Sequence, residues 1–434
     1  MLEGDGQRAG SCGPLAMTRL NAVVLGAGVV GTCVALHLVK RGLKVALVDR
    51  RGPGEETSYG NAGVIEGNTL LPPAFPSQTS LLLRIALKRA PEASYHLSFL
   101  PRVAPWLWAY RAATRPRELV ETARATRALF SHAIEEHEIL LAEAGASRYL
   151  RKNGWIKLYR SPRGFAALAD QLALAQEFGI SFRVLDADAA CAIEPSLAPV
   201  FHRAVLWEGT ASVIDPLAVT RAYAARFAAL GGLVMTGDAR SLRRVASGWR
   251  LEGAQESLEA EQAVVSLGPY APDLLDPLGI RLPLGIKRGY HRHFRPLGNA
   301  GLSRPVVDAE IGFCLAPMEQ GIRLTTGAEF AARDAKPTPT QLELLMPAAR
   351  SLFPLGEAVE QTPWMGSRPC FADSRPVIGR APGHSGLWLA YGHAHWGLTL
   401  AAATGRLVAE MMTGVTPFVD PAPYAAERFA ASPS

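Results

Sequence analysis

One short glycine turn constrains this chain more than any other feature. Leu20-Asn-Ala-Val-Val-Leu25 is a short apolar run, Gly26-Ala27-Gly28-Val29-Val30-Gly31 follows it, and an apolar stretch continues to Leu38 before Arg41-Gly42. The run reads as a buried parallel strand, and the stretch beyond the glycines as a helix closed by a basic last turn and a glycine stop. Lys44–Asp49 supplies a second strand, completing β-α-β within about 30 residues. Gly26 permits the tight turn, Gly28 lets backbone approach a pyrophosphate, and Gly31 lets helix and strand pack closely. The helix N-terminus offers free N–H groups and a partial positive charge to phosphates. Asp49 stands 18 positions after Gly31, where its carboxylate can accept ribose hydroxyls and would repel a 2′-phosphate. The unit predicts a dinucleotide, FAD or NAD, and disfavours NADP.

The same segment holds a trap. Asn21–Val39 is a 19-residue run without formal charge, which a hydropathy window would read as a membrane span. Its internal glycines and Thr32 favour a buried strand and helix instead. Residues 1–16 are Gly-rich, lack the apolar core of a signal peptide, and read as a disordered extension, with Met17 as the natural start.

At 434 residues, 48% apolar and 19% charged, the chain is long enough for two domains and too apolar to be disordered. No repeat period is present. Its five cysteines are scattered without C-x-x-C spacing, so neither a disulfide framework nor a metal site is expected, and a reducing cytoplasm is the default. The pattern predicts one long helix over 116–144, with Phe130, Ile134, His137 and Leu141 as its buried stripe. Strand-like segments follow at 153–160, 233–236, 263–267, 287–294, 311–317, 321–326 and 387–390. Asp215-Pro216 caps a helix that stops at Gly231-Gly232, and a last helix runs from about Trp396 to Met412. Nucleotide-fold features thus recur at the start, middle and end. The expected architecture is α/β, a Rossmann-like dinucleotide domain (17–80, 210–275, 360–434) interleaved with an α+β substrate domain (81–209, 276–359).

After the second strand the chain enters Glu56-Thr57-Ser58-Tyr-Gly-Asn61-Ala62-Gly63 rather than completing a sheet. Hydroxyls, amides and backbone N–H groups of that kind suit a flavin ring and ribityl chain, and no second G-x-G-x-x-G exists for a nicotinamide cofactor. FAD is therefore favoured over NAD.

Taken with Val264-Val-Ser-Leu-Gly268-Pro-Tyr-Ala271, Gly289-Tyr290-His291 and Gly321-Ile-Arg323-Leu-Thr-Thr-Gly327, these motifs resemble the FAD-dependent D-amino acid oxidase and dehydrogenase superfamily. The resemblance runs from 20 to 414 and is most specific near the end. There stand Gly366-Ser-Arg368-Pro369, Asp373-Ser-Arg-Pro376-Val-Ile-Gly379, Gly392-His393-Ala-His395-Trp396-Gly397-Leu-Thr399 and Thr404-Gly405. Within the superfamily the set is most similar to the bacterial D-amino acid dehydrogenases.

The resemblance implies hydride transfer from an amine Cα to flavin N5, with the protein holding the substrate. Arg368 matches the carboxylate-binding arginine, whose planar fork suits a carboxylate; a surface ion pair is the plainer reading. Tyr290, with His291, sits where a substrate-facing polar group is expected, or is a half-buried strand pair. His393 and His395 precede a helix N-terminus, where a neutral imidazole could take the amine proton, or are ordinary loop histidines. Gly392, Trp396, Gly397 and Thr399 would aim that N-terminus at the flavin's pyrimidine edge. Sarcosine-oxidase relatives tether flavin through a cysteine seven residues before the matched aspartate; Gly366 stands there, so FAD is expected to be non-covalent.

The leading expectation is an FAD-dependent dehydrogenase for a small D-amino or cyclic imino acid, in its sharpest form D-proline or 4-hydroxy-D-proline. An O2-using glycine, sarcosine or D-amino acid oxidase and an FAD-containing RNA-associated protein are the alternatives. No aromatic-interleaved basic motif supports nucleic acid. The net charge of +6 is matched by residues 81–130, with nine basic and three acidic side chains. That stretch is either a solvated helical face or a contact for an anionic surface. Trp106 and Trp108 read most simply as core, yet among arginines they also suit a membrane interface. The expected location is the cytoplasm, with peripheral contact to the membrane's inner face as the alternative to a merely solvated basic face, and a quinone or dye-like acceptor is favoured over O2.

Overall fold

The computed structural model describes residues 18–67, 71–76, 78–252 and 257–430. The expectations for residues 1–16 and Met17 lie outside them. The chain opens as β1 (Thr18–Leu25), α1 (Val29–Lys40) and β2 (Val45–Asp49), then β3 (Val64–Glu66), α2 (Thr79–Ala86) and α3 (Leu100–Ala113). Further along come β4 (Trp155–Tyr159), α4 (Pro216–Ala229), β5 (Leu233–Thr236), β6 (Ser257–Val265) and β7 (Gly285–Pro296). The elements that complete the site are β8 (Gly321–Thr325), β9 (Trp364–Cys370), β10 (Leu387–Tyr391) and α5 (Gly397–Met412).

The first sheet has the parallel order β5-β2-β1-β6-β10. Ala22 lies opposite Val45 and Leu25 opposite both Val48 and Val265, so the carboxyl ends of the central strands finish level. Helix α1 lies between this sheet and helices α4 and α5. That explains why Cys33 through Leu36 and Leu38 are wholly buried although no bilayer is involved. Burying Val34, Leu36 and Leu38 contributes roughly 1.5–3 kcal/mol each. Among the described residues no helix is long and apolar enough to cross a membrane. Helix α4 starts as its residues predict: the Asp215 carboxylate accepts from the N–H groups of Leu217 and Ala218, both at 3.0 Å.

A larger mixed sheet is organised on β7, which pairs antiparallel with β8 and β9. β4 joins it through Val306–Asp308. Three sequence expectations change here. The helix over 116–144 is two helices, Pro116–Ser131 and Ala133–Glu143, broken at His132, where ψ is −4°; Phe130, His137 and Leu141 stay buried. Trp364–Cys370 falls in the segment assigned to the dinucleotide domain, yet it pairs with β7 from Gly285↔Cys370 to His291↔Trp364. Trp106 is buried as expected, but Trp108 is 69% exposed, because two residues along a helix point to opposite faces.

Candidate active site

A cleft of about 1260 Å³ opens at the carboxyl ends of β1, β2, β6 and β10 and is walled on its far side by the larger sheet. This is the crevice where open α/β sheets bind their ligands. Gly26, Gly28, Val29, Val30 and Asp49 line one end. Ala27 and Gly31 stand behind them: the Ala27 N–H donates to Asp49 Oδ2 at 2.7 Å, and Gly31 packs α1 against the turn. Ser58 Oγ accepts from the Val29 N–H at 2.9 Å, and Thr57, Asn61, Ala62 and Gly268 continue the wall. Gly63 does not reach the cleft; its carbonyl accepts from the Val213 N–H at 2.7 Å.

Two helix N-termini converge on this space. α1 begins at Gly28 and α5 at Trp396; neither N-cap residue caps with its own side chain and neither first turn holds an acidic residue, although Ser58 Oγ already takes the Val29 N–H. The remaining first-turn N–H groups and the positive helix ends suit a pyrophosphate at the first and an electron-rich ring edge at the second. The donor set therefore fits FAD, with Gly28 to Val30, Asp49, Thr57 to Ala62 and Gly392 to Gly397 as the residues able to hold it. Thr399 sits one layer back: its hydroxyl donates to the Val64 carbonyl at 3.1 Å and accepts from the Glu66 N–H, so it fastens α5 to β3.

At the other end Arg368 faces the cleft and forms no ion pair among the described residues; Nη1 donates only to the Gly327 carbonyl, at 3.2 Å. It lies over Gly289, where any Cβ would come within 2.4 Å of its guanidinium. Lys157 on β4 also lines the cleft, with no ion pair among the described residues and its ammonium 4.4 Å from the Trp155 ring centroid. Lys287, cross-strand from Arg368, rests 3.7 Å from the Tyr110 ring centroid. Burial lowers the proton affinity of all three cations. Arg368 and Lys157 bring positive charge to this end, with Lys287 behind the wall and the Glu66 carboxylate offsetting part of it at Lys157.

His395 borders the same end. Burial, and then the charges of Arg368, Lys287 and Lys157, push its pKa down to about 3. It stays neutral at physiological pH, as the neutral-imidazole reading requires, but it is too weak a base to retain an amine proton there. Stability carried by this neutral form is complete above the ordinary value of 6.5 and is lost as pH falls towards 3. His393 touches the cleft, but its ring is committed to Thr404 Oγ1 at 3.0 Å and is buried.

Tyr290 does not face the cleft. Its hydroxyl donates to Glu329 Oε2 at 2.7 Å and accepts from Arg288 Nη2 and the Thr338 N–H, both at 2.8 Å, and the Arg288, Tyr290 and Glu329 side chains are all buried. Strand alternation is the reason: Arg288 and Tyr290 share one face of β7, and Gly289 owns the cleft face. His291 shares that second face but stacks on Trp364 at 4.8 Å, beneath the 59–61 loop. Gly289, Lys157 and Trp364 are site residues that reading along the chain missed. Lys157 carried a usable signal, as the lone charge inside an apolar strand.

A dinucleotide turn at the mouth of a parallel sheet, facing an arginine on a second sheet that has no ion pair among the described residues, is the arrangement a flavin-dependent oxidoreductase needs. The chain belongs to the FAD dependent oxidoreductase family, whose model matches residues 21–411. It is 31% identical to a D-amino acid dehydrogenase of Rhizobium johnstonii, over 94% of this chain and all of that one. It is 29% identical to a D-amino-acid oxidase of Bradyrhizobium diazoefficiens, over 94% and 99% of the two chains. Among solved structures, glycine oxidase from Geobacillus kaustophilus matches at TM-score 0.72 and 23% identity, covering 94% of this chain and 99% of its own. L-proline dehydrogenase from P. horikoshii matches at 0.73 and 17%, covering 96% and 99%. At such identities the two structures share the fold.

Proposed function

We propose that this protein dehydrogenates a small D-amino or cyclic imino acid, with D-proline or 4-hydroxy-D-proline as the sharpest form. The observation that carries the reading is Arg368, a guanidinium with no ion pair among the described residues, laid over Gly289 of β7 inside the cofactor cleft. A substrate carboxylate supplies the missing partner, and Gly289 leaves the room in which the guanidinium lies flat to meet it. FAD, when bound, supplies the hydride acceptor. Arg368 orients the substrate, Lys157 and Lys287 reinforce the field that attracts its carboxylate, and neutral His395 accepts a hydrogen bond from the amine. The relatives named D-amino acid dehydrogenase support this substrate class and the dehydrogenase reading, for which a quinone or dye-like acceptor is our own proposal. The relative named D-amino-acid oxidase favours a second reading, in which O2 reoxidises the flavin.

An anaerobic panel of D-amino and imino acids decides. D-proline or 4-hydroxy-D-proline should bleach the flavin band fastest, and persistence of colour with every compound would sink the enzyme reading. Readmitting O2, or adding quinone or dye, separates the two acceptors. A second expected result concerns attachment. Gly366 offers no thiol, so acid or heat should release intact FAD into the supernatant. Yellow colour that stays with the precipitated protein would refute non-covalent binding.

A further inference from the structure

Four of the five most exposed large apolar side chains among the described residues are Leu83, Leu87, Leu97 and Trp108, at 56–69%. All fall within 26 residues of chain. Helix α2 is alone among the described helices of eight residues or more in burying none of its residues. Apolar surface left in water at this density marks a contact.

Charge surrounds it. Residues 79–115 hold six lysines and arginines against one acid, Glu92, which meets Arg84 at 3.7 Å. Among the described residues no ion pair engages Lys88, Arg89, Arg102, Arg111 or Arg115. Lys88 even occupies the left-handed position that closes α2 (φ 55°), where glycine would avoid the conformational cost. The pieces are held together. The Tyr95 hydroxyl donates to the Ala86 carbonyl at 2.7 Å, Lys88 lies 5.4 Å from the Tyr95 ring, and Arg111 lies 5.9 Å from Trp108. α3 buries Val103, Trp106 and Tyr110 on its inner face and turns Trp108 outward. The Tyr110 hydroxyl donates to the carbonyl of Pro73, and Pro72 to Ala74 line the cleft, so this surface adjoins the cleft's rim.

We propose that α2, the turn at Leu97 and the outer face of α3 form a docking surface for an anionic lipid bilayer. Leucines and a tryptophan ringed by cations gain from an acyl boundary beneath acidic headgroups. Nucleic-acid phosphates would satisfy the cations but leave the leucines in water. The docking stands on this surface alone and requires no particular substrate or acceptor, so its test needs no turnover.

Flotation of the purified flavoprotein with vesicles tests it. Phosphatidylcholine vesicles containing phosphatidylglycerol should carry the protein at low salt and release it at about 0.5 M salt, since screening shortens the reach of surface charge. Vesicles of phosphatidylcholine alone should not carry it. Leu83→Glu with Leu87→Glu should lower partitioning at least about tenfold. Arg84→Glu with Lys88→Glu should lower it about 25-fold or more, from roughly fivefold per basic residue. Both double variants should keep flavin and thermal stability, because α2 buries nothing. Failure to float at low salt, equal binding to neutral and anionic vesicles, or wild-type binding by both variants would overturn the proposal. So would self-association without vesicles that Leu83→Glu abolishes, which would make the surface an interface between two copies.

Discussion

Arg368→Leu should leave FAD bound and turnover crippled. The guanidinium has no acidic partner of its own among the described residues, so removing it costs the fold little and the substrate much. A charge-assisted pair whose surviving partner stays desolvated is worth roughly 2–5 kcal/mol. That corresponds to a loss of about 30-fold to several thousand-fold in kcat/KM. Gly289→Val is the companion experiment. It keeps the charge but fills the space that a Cβ at this position already contests at 2.4 Å from Nη1, so kcat/KM should fall with flavin retained. An Arg368→Leu enzyme within threefold of wild type would remove the arginine from the site and the carboxylate from the proposal.

Gly31→Val should yield protein that folds poorly and is nearly colourless. A Cβ at residue 31 would sit 1.9 Å from the Gly26 carbonyl oxygen and 3.0 Å from Ser266 Cβ, and the first of these is backbone that cannot swing aside. α1 would have to lift off β1, spreading the turn whose N–H groups serve the cofactor. Overpacking of this kind costs about 1–3 kcal/mol or more. At the upper end, FAD binding should weaken about 100-fold. Titrating the apoprotein with FAD by flavin fluorescence gives the number; a variant as yellow as wild type would mean that α1 and β1 do not need their close approach.

These two residues mark the range of what was legible beforehand. Gly31 could be read because its reason is local: a strand, a turn and a helix within one βαβ unit. Asp49 was legible for the same cause. Arg368 was found through a motif, but its neighbour across the sheet was not. Whether Tyr290 or Gly289 faces the cleft depends on the pairing of β7 with β9, which brings Lys287 opposite Arg368. A shift of one residue exchanges the two faces, and nothing near position 290 reports which one is buried. His393 and His395 repeat the problem: two apart, one is fastened to Thr404 and the other borders the cleft. β9 itself crosses to the larger sheet because its partner, β7, lies about 80 residues upstream, beyond the reach of any local pattern.

β9 has a further property. The Thr57 hydroxyl donates to the Ser367 carbonyl and the Ala394 N–H donates to the Pro369 carbonyl, both at 2.9 Å, so the residues on either side of Arg368 are gripped by two loops from the cofactor end of the cleft. Ala394 makes its bond from a left-handed conformation (φ 52°), which costs about 1–2 kcal/mol for a residue with a side chain. Under the proposed function, cofactor and carboxylate would act on one shared strand. If ordering the 57–63 and 392–397 loops steadies the arginine, a carboxylate on the arginine must tighten the dinucleotide by the same factor.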